Sequence, residues 1–309
     1  MSIVVFGSIN MDLVARTPRL PAPGETLIGH DFVTVPGGKG ANQAVACAKL
    51  GARTHMVGRV GGDAFGMEMR QSLQAVGVAV ALVEVEPVPR TGEVAMSSGI
   101  ALIAVDDIGQ NNIIVIPGAN GRIAPPDLAR LETTLDDAQI LLLQLEIPLA
   151  MVVAAAKMAH ERGVLVILDP APAQALPAEL YPFVDVLTPN ETETAVLTHT
   201  TIHDETDAVQ AAQILLGRGT KRVVIKMGSR GAYVADGQGG RFYEAVPVTA
   251  VDTVAAGDAF NGALAVALNE GHPFDEAMHW ALAAGALAVT QPGAQAAMPD
   301  RSNLFAFMG

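Results

Sequence analysis

Residues Ile140 to Asp169 read ILLLQLEIPLAMVVAAAKMAHERGVLVILD. The two ends, ILLLQL (Ile140 to Leu145) and VLVILD (Val164 to Asp169), are short, continuously apolar runs bounded by breakers, the pattern of strands buried on both faces. Between them PLAMVVAAAKMAHERG has helical composition and stops at Gly163, as a helix with a C-terminal glycine cap does. The unit is strand, helix, strand. The alternation continues outward: IVVFG (Ile3 to Gly7), VDVLTP (Val184 to Pro189) and RVVIKMG (Arg222 to Gly228) read as further buried strands, and NQAVACAKLG, FGMEMRQSLQAVG and DAVQAAQILLGRG as helices. This predicts an α/β fold with a mostly parallel central sheet covered by helices on both faces. Ligands of such sheets bind beyond the carboxyl ends of the strands, so residues just after strands are the candidates for function.

Half of the 309 residues are hydrophobic, 17% are charged and few are aromatic, so the core must be built from Ala, Val, Leu and Ile. That length accommodates one large domain with an appendage as well as two domains. A formal net charge of −13 argues against broad nucleic-acid binding, which draws on clustered Lys and Arg. Any phosphate handling must be local. The single Cys47 excludes an intrachain disulfide framework and points to a reducing compartment; its helical setting makes it a small core residue. MSIVVFGSINMD lacks a basic leader and reads as a first strand. The longest uncharged span, Ala277 to Pro299, is interrupted by His279, Thr290, Gln291, Pro292 and Gln295, which leaves about half the apolar length of a bilayer crossing. It reads as a buried helix ending near Pro292. A soluble, cytoplasmic protein with no membrane partner is expected.

Two stretches break the alternation. Thr17 to Gly37 is rich in Pro and Gly with extended pieces (ETLIGHDFVTV), and Glu93 to Ile116 (EVAMSSGIALIAVDDIGQNNIIVI) reads as strands joined by an Asp/Gly/Asn turn. Together they suggest a small β-sheet formed by segments at about 13–37 and 93–117, inserted into a single domain spanning 1–309. A few strands cannot bury both faces alone, so such a sheet covers a site, pairs with another subunit, or does both.

Five segments carry candidate chemistry. Thr249 to Gly262, TAVDTVAAGDAFNG, leads two aspartates through small residues into a helix that begins near Ala256 or Gly257. The first amides of a helix lack intrahelical partners and, with the positive end of the dipole, make an anion site that small residues leave accessible. Asp258 would stand beside the anion, placed to take a proton from an attacking hydroxyl; its simpler use is to complement its own helix dipole. PGGKGANQA (Pro36 to Ala44) combines Gly37, Gly38 and Gly40 for close backbone approach with donors from Lys39 and Asn42, though a capping turn explains it equally well. It is not the nucleotide P-loop, which needs Ser or Thr after its lysine. SINMD (Ser8 to Asp12) follows the first strand and offers Asp12 to a polyol or to a turn. TPNETE (Thr188 to Glu193) offers Asn190 and Glu193 to phosphates and a hydrated Mg²⁺, or forms an acidic helix start. KMGSRG (Lys226 to Gly231) ends a strand with glycines and Arg230 that can line a nucleotide.

In this order GSINMD, GETLIG, GGKGANQAVA, QLEIP, TPNETE and DTVAAGD resemble the ribokinase family, the sugar and nucleoside kinases that include the phosphofructokinase B type, from about Ile3 to Pro299. The resemblance implies a three-layer α/β/α sandwich with a β-stranded lid that also pairs two subunits as a homodimer. It implies that Asp258 is the base for a sugar 5-hydroxyl, with Ala255, Ala256 and Gly257 forming the anion hole and Gly257 also meeting the nucleotide phosphates. Asn10, Asp12, Gly38, Lys39, Gly40, Ala41, Asn42 and Glu146 fall where the family holds sugar. Asn190 and Glu193, the latter through water, match its phosphate and Mg²⁺ motif, and Lys226, Met227, Gly228, Ser229, Arg230 and Gly231 its ATP loop. Asp252, with carbonyls of Val254, Ala288, Gln291 and Gly293, matches its activating potassium (K⁺) site. Three positions depart from the pattern: Lys226 stands where a hydroxyl residue is common, Ala297 replaces a hydroxyl that often completes the cation site, and Ala255 replaces the glycine commonest in the wider family.

The implied reaction is transfer of the ATP γ-phosphate to ribose. Acceptors such as deoxyribose, fructose, a ketodeoxy sugar acid or a nucleoside are the alternatives within the family, and a sugar- or nucleotide-binding regulator without catalysis is the alternative outside it. The inserted segments supply only Phe32 as an aromatic for a nucleobase, and Lys39 is the one obvious cation for an acidic sugar.

Overall fold

A computed structural model describes residues 1–87 and 96–309. The chain runs β1 (Ser2–Phe6), β2 (Asn10–Thr17), β3 (Asp31–Gly37), α1 (Lys39–Lys49), β4 (Thr54–Val60), α2 (Ala64–Ala75), β5 (Ala79–Val85), β6 (Gly99–Asp106) and β7 (Asn111–Ile116). It continues through α3 (Pro125–Leu135), β8 (Ala138–Leu143), α4 (Leu149–Glu161), β9 (Leu165–Leu168), β10 (Val186–Leu187), α5 (Glu191–Thr198) and α6 (Glu205–Gly217). It ends with β11 (Arg222–Lys226), β12 (Ala232–Asp236), β13 (Gly239–Tyr243), α7 (Ala256–Asn269), α8 (Phe274–Ala288) and α9 (Arg301–Met308).

Nine strands form one sheet in the order β13-β12-β11-β10-β9-β8-β1-β4-β5. From β11 to β5 all neighbours are parallel, and β12 and β13 extend one edge antiparallel. Alternation along each strand divides the core in two. Ile3, Val5, Ile140 and Leu142 pack with α1, α7 and α8 on one face. Val4, Phe6, Leu141 and Leu143 pack with α3, α4 and α6 on the other. Both faces are covered, as the apolar runs require. The expected α/β sandwich is present, and α4 closes as read, with Gly163 at φ 73° donating its amide to His160 O at 3.0 Å.

A second sheet has the order β3-β2-β6-β7, with β2 and β6 parallel and the outer pairs antiparallel. The turn between β6 and β7 is held by Asp106 Oδ1, which accepts from the amides of Ile108 (3.1 Å) and Gln110 (2.8 Å). Residues 93–95, the start of the second inserted segment, lie outside the described residues. Two differences from the sequence reading bear on the site. The inserted sheet begins before residue 13: Asn10 already starts β2, so Asn10 and Asp12 sit on the second sheet's strand. The helix expected to run near Pro292 stops at Ala288, because Val289 O turns away to accept the amides of Val251 (2.7 Å) and Asp252 (3.2 Å) from the loop before α7.

Helices α1 and α7 lie against each other at small residues. A Cβ built on Gly262 would stand 2.4 Å from Ala46 Cβ, and Cys47 Sγ donates to Gly262 O at 3.6 Å. Gly262→Ala is therefore expected to force the helices apart and lower stability by about 1–3 kcal/mol, the usual range for overpacking. Urea unfolding of Gly262→Ala alone and with Ala46→Gly checks this: the second change should recover part of the loss, and additive losses would count against the contact.

Candidate active site

The loop before α1 lies directly on the connection from β1 to β2. Gly38 has φ 87°, and a Cβ there would stand 2.6 Å from the Asn10 amide nitrogen; one on Gly40 would stand 2.6 Å from that of Ser8. On Gly37 it would meet Asp12 Oδ2 at 2.3 Å. These glycines let three backbones converge at the carboxyl end of β1. Glu146, beyond β8, ties them together: its Oε2 accepts from Ser8 Oγ (2.6 Å), the Lys39 amide (3.0 Å) and Asn10 Nδ2 (3.4 Å). Asn120 fixes the neighbouring strand, donating to Ile9 O (3.1 Å) and Asn10 Oδ1 (2.7 Å) while accepting from the Ile9 amide (2.9 Å).

Asp258 occupies the first turn of α7, 4% exposed. Its Oδ2 accepts from Asn42 Nδ2 at 3.0 Å and its Oδ1 from Gln43 Nε2 at 3.1 Å, both from α1. Gln144 Nε2 in turn donates to Gln43 Oε1 at 2.6 Å, orienting that amide. Burial pushes the Asp258 carboxyl up to about 6; the Lys39 ammonium opposes the rise and the Asp169 carboxylate adds to it. Asp12 rises to about 7, through burial first and then the carboxylates of Glu146 and Asp258. For Lys39 burial acts downward, but the fields of Asp258, Asp169, Glu146 and Glu193 outweigh it and hold the ammonium charged. Before α7, Ala255 stands at φ 59°, ψ 10°, a left-handed conformation that glycine adopts without strain, and it leaves the amides of the next turn at the helix mouth.

Asn190 and Glu193 are both present at a helix start, joined in a capping box. Glu193 N donates to Asn190 Oδ1 and Asn190 N to Glu193 Oε2, each at 2.8 Å, and Asn190 Nδ2 reaches Glu193 Oε1 at 3.0 Å. Burial and Asp169 raise the Glu193 carboxyl, with Lys226 opposing. Lys226 ends β11, and its Nζ lies 2.9 Å from Asp169 Oδ1. Of the rest of that segment, Met227 is buried in the core, while Gly228 to Arg230 form a turn whose Arg230 pairs with Glu191 and donates to His203 O at 2.7 Å. Ala41 is buried, and the side chain of Lys39 is half-buried.

Asp252 joins two loops: Oδ1 accepts from the Val254 amide and Oδ2 from the Gly293 amide, each at 2.9 Å. Ala288 ends α8 just before the second loop and Gln291 is exposed on it. Both Asp252 oxygens keep further lone pairs, and a carboxylate oxygen suits a hard cation. Lys49 Nζ holds the same loop at Gln295 O (2.8 Å) and Met298 O (2.9 Å), around the buried Ala297. Among the described residues no group of three or more His, Cys, Asp and Glu converges on a metal position. Glu193 keeps free lone pairs on both capping oxygens, which suits a hydrated Mg²⁺ held mostly by phosphate and water.

Four residues of this constellation escaped the sequence reading: Ser8, Gln43, Asn120 and Asp169. Asp169 had a signal, since it directly follows the apolar run of β9. Its oxygens meet Lys226 on one side and Gln43 Nε2, at 3.1 Å, on the other. Among the described residues no helix is long and apolar enough to cross a membrane.

Residues 1–301 match the profile of the pfkB family carbohydrate kinases. The chain is 38% identical over 307 residues to the ribokinase of Haemophilus influenzae, covering 99% of this chain and 98% of that one. It is 39% identical over 303 residues to the ribokinase of Bacillus subtilis, with 98% of each covered. Its fold superposes on the crystal structure of ribokinase from Thermotoga maritima with a TM-score of 0.89 at 36% identity, covering 100% and 99% of the two chains. The Arabidopsis thaliana ribokinase complexed with ribose and ATP gives 0.89 at 35% identity, with 99% and 98% covered. With both the sheet topology and nearly the whole sequence in agreement, the chain belongs to the pfkB family of carbohydrate kinases.

Proposed function

We propose that this chain is an ATP-dependent ribokinase that forms ribose 5-phosphate and ADP. The observation that carries the reading is the buried Asp258 carboxylate at the mouth of α7, facing a polar cup of Asn10, Asp12, Lys39, Asn42 and Glu146. The cup is rich in paired donors and acceptors and suits a neutral polyhydroxylated sugar. A sugar lacking one hydroxyl would leave a buried carboxylate unpaired and bind less well. The ribose and ATP in the Arabidopsis neighbour favour the same donor and acceptor.

In this reading Asp12 and Glu146 orient the sugar and Gly38, Gly40 and Ala41 shape the floor beneath it. Asp258 accepts the proton of the 5-hydroxyl as the new bond from that oxygen to the γ-phosphorus forms and the bond to the β,γ-bridging oxygen breaks, so ADP leaves with the bridging electron pair. The amides of Ala255, Ala256 and Gly257 receive the charge of the migrating group. Glu193 with Asn190 would hold Mg²⁺ through water, and that ion supplies neutralisation of the ATP phosphates. Asp252 with carbonyls of Val254, Ala288, Gln291 and Gly293 would hold a potassium ion, which supplies positive charge to the loop before α7. The main chain of 226–231 lines the nucleotide. The sheet of β2, β3, β6 and β7 acts as a lid over the sugar and excludes water, so phosphorylation outruns ATP hydrolysis.

Release of ADP, followed with each of a panel of pentoses, hexoses, sugar acids and nucleosides and with Mg²⁺ or K⁺ omitted in turn, tests this directly. Ribose should give the highest kcat/KM; preference for another acceptor would reassign the substrate, and no sugar-dependent release would favour a binding protein without catalysis. Asp258→Asn should lower kcat by about 10²- to 10⁴-fold while ATP and ribose still bind. A fully active Asn variant would remove Asp258 from the mechanism.

The raised carboxyls give a pH signature. Asp258 works only when deprotonated, so kcat should fall with unit slope as pH drops below about 6. Stability runs the other way. A carboxyl whose folded value is raised stabilises the fold most below its unfolded value, and that contribution is lost as pH rises through the folded one. The thermal midpoint of the wild-type chain relative to Asp12→Asn should therefore fall as pH rises from about 4 to about 7 and level off above that. A constant difference would contradict the burial of the Asp12 charge.

The same lid supports a homodimer. Leu102, Ile114 and Ile116 are 40%, 62% and 41% exposed and, by their register with Leu13 and Met11, lie on the sheet face opposite Asp12. A contiguous apolar row of this kind marks an association surface. Sedimentation equilibrium should find a dimer that Ile114→Lys with Ile116→Lys converts to monomer; a monomeric wild-type chain would overturn the pairing.

A further inference from the structure

The ion pair between Lys226 and Asp169 is nearly closed to solvent, with side chains 14% and 2% exposed. A largely buried lysine–carboxylate pair is a poor stabilising device, because desolvation of both charges offsets most of their attraction. Its position gives it another use. A Cβ built on Gly257 would stand 3.3 Å from Lys226 Nζ, and among the described residues no other atom outside its own helix and chain neighbours comes within 4 Å. Gly257 does not need glycine for its backbone angles, as its φ is not positive. The missing side chain keeps open a space whose one near wall is an ammonium group, at the amide-lined mouth of α7 and beside Asp258, the next residue.

We propose that Lys226 is a catalytic residue, its ammonium moving from Asp169 onto the phosphoryl group in flight, and that Asp169 is the positioning residue that aims it. This rests on the kinase reading above and deepens it: beyond lining the nucleotide, Lys226 supplies the side-chain cation of the anion hole, while Lys39 serves the sugar side. Asp169 suits the task because it is itself pinned, its other oxygen accepting from Gln43 Nε2 at 3.1 Å. Gln43 also holds Asp258, so the amide sets the spacing between the base and the lysine's anchor. As the oxygen-to-phosphorus bond forms and the bridging bond breaks, charge gathers on the equatorial oxygens between the α7 amides and Nζ. No proton leaves Lys226.

The test removes both charges together, so that no buried ion is left without a partner: Lys226→Met with Asp169→Asn, beside Lys226→Arg. Two quantities are read, steady-state kinetics with the best acceptor sugar and calorimetric binding of ADP with and without aluminium fluoride, which mimics the phosphoryl group in transfer. The double variant should lose about 10- to 100-fold in kcat and at least about 10-fold in affinity for ADP–aluminium fluoride, with KM for sugar and affinity for ADP alone changed less than about threefold. Lys226→Arg should recover part of both losses. A double variant with wild-type kcat and wild-type affinity for the fluoride complex overturns the proposal, as does an equal loss of ADP and ADP–aluminium fluoride binding, which a merely structural pair would produce. The calorimetric arm does not depend on which sugar is accepted, so the role of Lys226 and the ribose assignment can fail separately.

Discussion

A carboxylate buried to 4% exposure must be supplied with donors or it takes up a proton and ceases to be a base. Asp258 is supplied from one direction, by Asn42 and Gln43 of α1, with Lys39 of the same helix start adding charge. Helices α1 and α7 must therefore meet within side-chain reach at their first turns. Gly262 and Ala46 let them do so. The raised value near 6 records the balance: burial wins, and the donors limit how far. A carboxyl so tuned is ionised at neutral pH and still protonatable, which is what the proposed proton transfer from an alcohol would ask of it.

The same reasoning extends to the surrounding charges. Asp12, Glu146, Asp169, Glu193 and Asp258 are arranged around two ammonium groups, Lys39 and Lys226, so carboxylates outnumber cations. In a chain of net charge −13 this is no place for an anion to gather by long-range attraction. In the proposed reaction, anion recognition would come from short-range, oriented donors: the amides at the start of α7 and the two lysines. That is why small residues recur there. Each methyl added at Gly37, Gly38 or Gly40 would strike a backbone or a carboxylate, and one at Gly257 would crowd an ammonium.

The sheet was legible because buried parallel strands leave an unmistakable mark, and runs such as VLVILD appear in the structure as β9 with its neighbours. The glycine loop and Asp258 were legible because their residues are adjacent in sequence. What escaped was held by contacts distant in the chain: Asn120 meets Asn10 across 110 positions and Lys226 meets Asp169 across 57. No periodicity reports such a pair. The end of α8 was misjudged for a related reason, since Val289 O is drawn off by amides of Val251 and Asp252 that lie before α7. In the TPNETE segment the acidic helix start is present as a capping box, and it leaves Glu193 at the edge of the charged cluster.

The second sheet is more than a cover attached at its rim. Asn10 and Asp12 are residues of β2, paired in register with Gly37 and Val35 of β3 and with Gly99 and Ala101 of β6. The strand that begins in the polar cup is thus the centre of that sheet, and β3 runs directly into the glycine loop before α1. Asn120 grips β2 at its root through both Ile9 and Asn10. Any tilt of the sheet must either bend β2 beyond Asn10 or carry Asp12 with it. Because the carboxyl of Asp12 feels the carboxylates of Glu146 and Asp258, its displacement changes its own charge environment in the cup. Geometry alone therefore couples the position of the sheet to the placement of Asp12 in the cup, with no relay of intermediate residues required.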